Sequence, residues 1–191
     1  MKGGLFLLAI FALSVVTSSV KAQDTTSNAG EPVTVDSVDL ARYMGTWYEI
    51  AKIPNSFQSK CAMNTTATYT LLGDGEVEVV NRCVESDGSV NVAEGVAKVV
   101  DVKTNAKLKV SFVSILGVRL FWGDYWIIGL DRDYRYAVVG TPSRKYGWIL
   151  GRTPALSDEE KEAISNILTK QGYNPEDFVP TEQSAAIPHR R

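Results

Sequence analysis

Histidine is almost absent from this chain: the single one, His189, stands beside Arg190-Arg191 at the C-terminal end. That excludes His-based metal sites and the Ser-His and Cys-His arrangements of nucleophilic catalysis. Cysteine is scarce as well, with Cys61 and Cys83 the only two and no Cys-x-x-Cys motif to support redox chemistry. No Gly-rich phosphate loop and no Gly-x-Ser-x-Gly elbow occurs. No metal or cofactor is therefore expected, and an enzyme is not. The net charge of -2 is small and mildly acidic, which argues against nucleic acid as a partner, because that affinity rests on neutralised phosphates.

Long hydrophobic runs are missing beyond the first twenty-odd residues. Met1-Lys2 gives a positive start, Leu5 to Val16 a short apolar run, and Val20-Lys21-Ala22 a small-x-small cleavage site. Residues 1–22 read as a secretory signal peptide cut before Gln23. The run is short for a membrane span, and nothing later reaches the length required. No Cys lies near the cleavage site, so the mature chain is expected to be soluble, without lipid attachment, and periplasmic or secreted. Cleavage removes Lys2 and Lys21 and no acid, which moves the formal charge from -2 to -4. Residues 23–35, rich in Ser, Thr and Gly, read as a flexible lead-in, 36–180 as one domain, and 181–191 as a disordered tail.

What the domain does have is alternation broken by turn residues, the pattern of half-buried strands. Trp47, Glu49 and Ala51 share one face of a first strand. Ala67, Tyr69 and Leu71 share a face of the second, and Val77 and Val79 a face of the third, after Gly73-Asp74-Gly75. Asp87-Gly88 leads to a fourth strand over Val96–Val100. Leu108, Val110 and Phe112 alternate with Lys107, Lys109 and Ser111 in the fifth. Tyr125–Leu130, Tyr136–Gly140 and Tyr146–Arg152 complete eight. Short links favour an antiparallel up-and-down meander closed into an eight-stranded β-barrel over a two-sheet sandwich, because closure removes exposed edges. After it, Ser157 and Glu160 form a capping box, Ala163, Ile164, Ile167 and Leu168 follow helical spacing, and Gly172 is a stop. One α-helix is expected outside the barrel.

Parity along such a meander places the start of strand one and the end of strand eight at the same closed floor. Trp47 and Arg152 fall there, as does the turn Asp131-Arg132-Asp133-Tyr134. Gly45-Thr46-Trp47-Tyr48-Glu49-Ile50-Ala51, Thr66-Ala67-Thr68-Tyr69 and Trp148-Ile149-Leu150-Gly151-Arg152-Thr153-Pro154, in that order, resemble the lipocalin family, specifically its bacterial lipocalin and apolipoprotein D branch. The likeness covers roughly Val35 to Val179. The family's Thr-Asp-Tyr motif is matched loosely, by Leu130-Asp131 with Tyr134. The resemblance implies a barrel that holds one small ligand, with the Arg152 guanidinium stacked on the Trp47 indole at the floor.

Cys61 and Cys83 flank the second hairpin almost opposite each other, which together with export points to a disulfide; two free thiols are the alternative. Glu49 is the one acid expected to face inward, either as an anchor for a ligand headgroup or as a buried carboxylate paired to an interior Arg, Tyr or water. Asn64-Thr65-Thr66 is a glycosylation sequon, meaningful in a eukaryotic source. The remaining candidate ligand-contacting residues are Ala51, Tyr69, Val79, Ala97, Leu108, Val110, Phe112, Tyr125, Ile127, Val139, Tyr146, Trp148 and Leu150. Small residues among the same faces (Ala51, Ala67, Ala97, Gly129, Ala137) favour empty volume over a filled core.

The connection from Ser114 to Gly123 is far too apolar for a solvated loop. With Leu116, Leu120, Phe121 and Trp122 at the mouth, it reads foremost as a lid. Transient membrane contact and pairing with a second copy are the other two readings. The expected function is non-catalytic binding and carriage of a small amphipathic lipid, a fatty acid or lysophospholipid. The rivals are an enzyme acting on a bound lipid and a stress-related barrel with a collapsed pocket.

Overall fold

The strands close. The computed structural model describes residues 30–73 and 75–184; the expected signal peptide, Asp74 and His189 lie outside them. The barrel strands are β1 (Gly45–Lys52), β2 (Cys61–Gly73), β3 (Glu76–Glu85), β4 (Val90–Val99) and β5 (Lys107–Ser111). A small hairpin of β6 (Val113–Ile115) and β7 (Val118–Leu120) follows. Then β8 (Gly123–Leu130), β9 (Tyr136–Gly140) and β10 (Gly147–Gly151) return to the start. Each barrel strand pairs antiparallel with the next, and β10 pairs with β1 through Glu49 opposite Leu150. This is the expected eight-stranded antiparallel barrel. Gly75 (φ 75°) and Gly88 (φ 84°) hold left-handed turn positions that a side chain would strain.

Two β-bulges reset the faces. In β1 the register shifts between Glu49 and Ala51, so Ala51 pairs with the outward Ile149 and Lys52 with Trp148. Ala51 therefore leaves the interior for the outer cluster with Trp126, Ile128 and Ile149, and Lys52 turns in beside Glu49. In β8 the shift lies between Ile127 and Gly129. Gly129 consequently faces the helix: a Cβ there would stand 2.8 Å from Ile167 Cγ2. Both expectations of an inward Ala51 and Gly129 are thus corrected by one extra residue each.

The helix α2 (Asp158–Lys170) packs outside, as expected. Its capping box is formed, with Glu160 N donating to Ser157 Oγ (3.2 Å) and Ser157 N donating to Glu160 Oε2 (3.0 Å). Ile164 and Leu168 bury against Trp126, Ile128, Val138 and Ile149. The floor of the barrel is closed by a single turn, α1 (Leu40–Tyr43), whose Tyr43 joins the interior cluster with Trp47.

The described residues on either side of the domain are better held than their polarity implies. Val35 N donates to Ile127 O (3.0 Å), so residue 35, the last of the expected lead-in, is tied to β8. Pairing of β1 with β2 ends at Tyr48 opposite Thr66, and the C-terminal chain enters the gap this leaves. There β11 (Val179–Pro180) pairs with Ala51 and Lys52, and Asn64 N donates to Glu182 O (2.8 Å). The Gln183 amide donates to both Glu49 O (2.8 Å) and Thr65 O (2.9 Å). Residues 181–184 are a splint between two strands rather than the start of a disordered tail.

Candidate functional site

The floor is built on Trp47 and Arg152. The indole is fully buried, and the guanidinium carbon lies 3.8 Å from its ring centroid. Arg152 also donates to the carbonyls of Thr46 (2.9 Å), Arg42 (2.7 Å) and Met44 (2.9 Å), the last carbonyls of α1 and the start of β1. Trp47 Nε1 donates to Tyr43 O (2.8 Å), and Tyr134 Oη accepts from Asp39 N (2.8 Å). A planar cation with several forked donors satisfies stack and carbonyls together, which suits Arg alone. Above it, Val77, Ala97, Leu108, Ile127, Ala137, Val139 and Leu150 fill the lower interior and are all buried.

Toward the mouth the interior opens. The inward-facing Ala67, Asn81, Ala93, Val110, Tyr125 and Trp148 all retain partial exposure. Phe112 lies over Gly95, where a Cβ would come within 2.7 Å of its ring, and is 40% exposed at the rim. Tyr146 stacks on Trp148 with ring centroids 6.3 Å apart, and Phe57 meets Tyr146 edge-on. The candidates Tyr69, Val79, Ala97, Leu108, Val110, Phe112, Tyr125, Ile127, Val139, Tyr146, Trp148 and Leu150 do share the interior. Only the upper ones among them are reachable.

Three phenols meet where packed floor gives way to open chamber. Tyr125 Oη lies 2.8 Å from Tyr43 Oη and 2.9 Å from Tyr69 Oη. Burial pushes all three phenols above their ordinary value, Tyr69 to about 12, so they are neutral donors at any physiological pH. Tyr43 was not foreseen as an interior group. It ends α1 whereas Trp47 lies in β1, so no single periodicity relates the two and no local pattern marks Tyr43 as interior.

Glu49 is inward and buried, but every contact it makes is already within the chain. Its Oε1 accepts from Lys52 Nζ (2.6 Å) and Thr181 Oγ1 (2.7 Å), and its Oε2 from Gln58 Nε2 (2.7 Å). Gln58 Oε1 in turn accepts from Trp148 Nε1 (2.9 Å) and Asn55 Nδ2 (2.8 Å). A buried carboxylate needs such partners. Glu49 is paired within the chain, but not by the Arg, Tyr or water expected: Lys52, Gln58 and Thr181, invisible as site residues in the sequence, hold it instead. A groove of about 290 Å³ beside this network is lined by Lys52, Asn55, Gln58, Cys61, Pro180 and Thr181. The Cys61–Cys83 disulfide is formed, with Cα atoms 5.5 Å apart, and staples this rim to β3.

The apolar connection forms the β6–β7 hairpin, turned by Leu116 (φ 50°) and Gly117 (φ 81°), an arrangement typical of two-residue hairpin turns. Leu116 is 99% exposed and Phe121 81%, so neither side chain covers anything. The lid expectation is corrected here: the tip points into solvent. Leu120 and Trp122 are half-buried, Trp122 with Lys98 Nζ 5.5 Å from its ring centroid. Among the described residues, no cluster of His, Cys, Asp or Glu is placed to hold a metal, and no helix is long and apolar enough to cross a membrane.

A closed antiparallel barrel with a plugged floor, whose inward faces become partly exposed toward the mouth, is the architecture of a small-molecule-binding barrel. Residues 38–183 match the lipocalin-like domain family. The chain is 37% identical over 178 residues to the outer membrane lipoprotein Blc of Escherichia coli strain K12, covering 93% of this chain and 97% of that one. It is 34% identical over 160 residues to apolipoprotein D of Mus musculus, covering 80% and 81%. Among solved structures it is similar to insecticyanin from the tobacco hornworm Manduca sexta, with TM-score 0.64, 25% identity, and 81% of this chain and 85% of that one covered. The protein belongs to the lipocalin family, which is known for binding small hydrophobic ligands.

Proposed function

We propose that this protein is an exported carrier of a small amphipathic lipid, a fatty acid or lysophospholipid, which it binds without chemical change. The observation that carries the reading is the exposure gradient along the inward faces. Below, Trp47, Ile127 and Val139 are wholly buried; above, Val110, Tyr125 and Trp148 line space that opens to solvent. An acyl chain entering this chamber loses apolar surface to water at about 0.8 kcal/mol per methylene, while its polar end stays at the rim. Ten such groups give about 8 kcal/mol before association costs, in the micromolar range. The exposed β6–β7 tip stands at the same entrance, and we place there a transient contact with the bilayer from which lipid is collected.

Native mass spectrometry of the mature protein from its own host, followed by organic extraction, tests the carrier reading. A retained acyl lipid is the expected result. A clean apo mass with no shift on adding fatty acid or lysophospholipid overturns it.

A further inference from the structure

Three hydroxyl groups share two hydrogen bonds where Tyr43, Tyr69 and Tyr125 meet, which leaves one hydroxyl hydrogen unused. Which residue keeps it follows from burial. Tyr43 and Tyr69 are buried, and their hydroxyls have no hydrogen-bond partner other than Tyr125 among the described residues. Either of them donating elsewhere would leave a hydrogen buried without an acceptor, which is unfavourable. Both therefore donate to the Tyr125 oxygen. On this assignment the remaining hydrogen is that of Tyr125, the one member of the trio whose side chain as a whole is still partly exposed.

We infer that Tyr125 is the deep recognition point of the chamber, and that it selects ligands bearing a neutral hydrogen-bond acceptor, such as a ketone or ester carbonyl, at the end that enters first. This deepens the carrier reading and rests on it. Because Tyr125 accepts two hydrogen bonds, its remaining hydrogen is polarised toward a third partner. A carboxylate fits poorly at the same point, since it would need a cation. Lys52 is bound to Glu49, and Arg152 is held beneath the Trp47 ring by three backbone carbonyls. The deep end of the site is thus a donor without a counter-charge, and a lipid acid enters with its carboxylate outward.

The test compares keto acids carrying the carbonyl next to the terminal methyl, ten to eighteen carbons long, with their unsubstituted parents by isothermal titration. At the chain length that reaches Tyr125, the wild-type protein should bind the keto acid roughly fivefold more tightly, the gain of one net hydrogen bond. Tyr125→Phe should reverse the order, because the buried ketone then lacks a donor. Tyr69→Phe should keep it, since Tyr43 still donates to Tyr125 and the free hydrogen remains. That second variant separates recognition from any general effect of disturbing the trio, with circular dichroism as the check on folding. Parents binding as well as keto acids at every length in the wild type, or a preference that survives Tyr125→Phe, overturns the inference alone. Binding of neither series overturns the carrier reading and this inference with it.

Discussion

The guanidinium of Arg152 stacks 3.8 Å from the Trp47 ring centroid and holds three carbonyls, of Arg42, Met44 and Thr46, at the same time. Lysine keeps the charge but has neither the planar face nor the fork. Arg152→Lys should therefore lower stability by about 2 kcal/mol, the loss of roughly two net hydrogen bonds. Urea denaturation followed by Trp fluorescence measures it as a lower midpoint with an unchanged slope. Coincident midpoints would show that the floor is held by Trp47 packing alone.

Glu49 and Lys52 form a nearly buried pair, with side-chain exposures of 4% and 16%. Removing one partner strands the other, whereas removing both charges together does not. Lys52→Met should cost about 3 kcal/mol. Adding Glu49→Gln should restore most of that, since the amide oxygen still accepts from Gln58 Nε2 while its NH2 donates to the Thr181 hydroxyl. Equal destabilisation of the single and double variants would refute a charge-pairing role for Lys52.

How far this site was legible can be seen at the same place. Alternation located the strands because a half-buried sheet must alternate, and Tyr136–Gly140 emerges with the bounds its sequence implies. The bulges leave no such trace. Ile50-Ala51 and Ile128-Gly129 are apolar or small on either side of the inserted residue, so neither reading of the faces violates composition. Only strand pairing decides it, and with it whether Ala51 or Lys52 faces the chamber. Thr181 to Ser184 look like a tail because they are polar. Their partners are Glu49, Asn64 and Thr65, more than a hundred positions away, and no local pattern announces a contact of that range. Floor residues were the most legible, since Trp47 and Arg152 are fixed by parity as well as by family likeness.

Alkaline pH should act on the tyrosine trio. Burial raises these phenols above their ordinary value of 10.0, Tyr69 to about 12. Between those values the folded state binds more protons than the unfolded one, so stability must fall as pH rises. The contribution is complete below about pH 10 and disappears as pH climbs through about 12. At pH 11, phenolate absorbance should account for fewer than the eight tyrosines of the chain, the remainder appearing only with unfolding. A titration in which all eight ionise near pH 10 while the fold persists would contradict the trio's burial.

The exposed hairpin tip offers the sharpest division between modes of action. Leu116 and Phe121 are almost wholly in water, and burying two such side chains in a bilayer is worth about 1.5–3 kcal/mol each. Leu116→Ser with Phe121→Ser should weaken adsorption to phospholipid vesicles by roughly a hundredfold, since every 1.4 kcal/mol is about tenfold. Affinity for a soluble fatty acid should stay the same, because neither side chain lines the chamber. Co-sedimentation with vesicles, titration and analytical ultracentrifugation read the three properties separately. If adsorption holds and a dimer falls apart, the tip is a contact between copies. If fatty-acid affinity alone drops, the hairpin contributes to holding the cargo. Weaker adsorption alone leaves the membrane as what the tip touches, with lipid passing directly from bilayer to chamber across the rim formed by Phe112 and Tyr146.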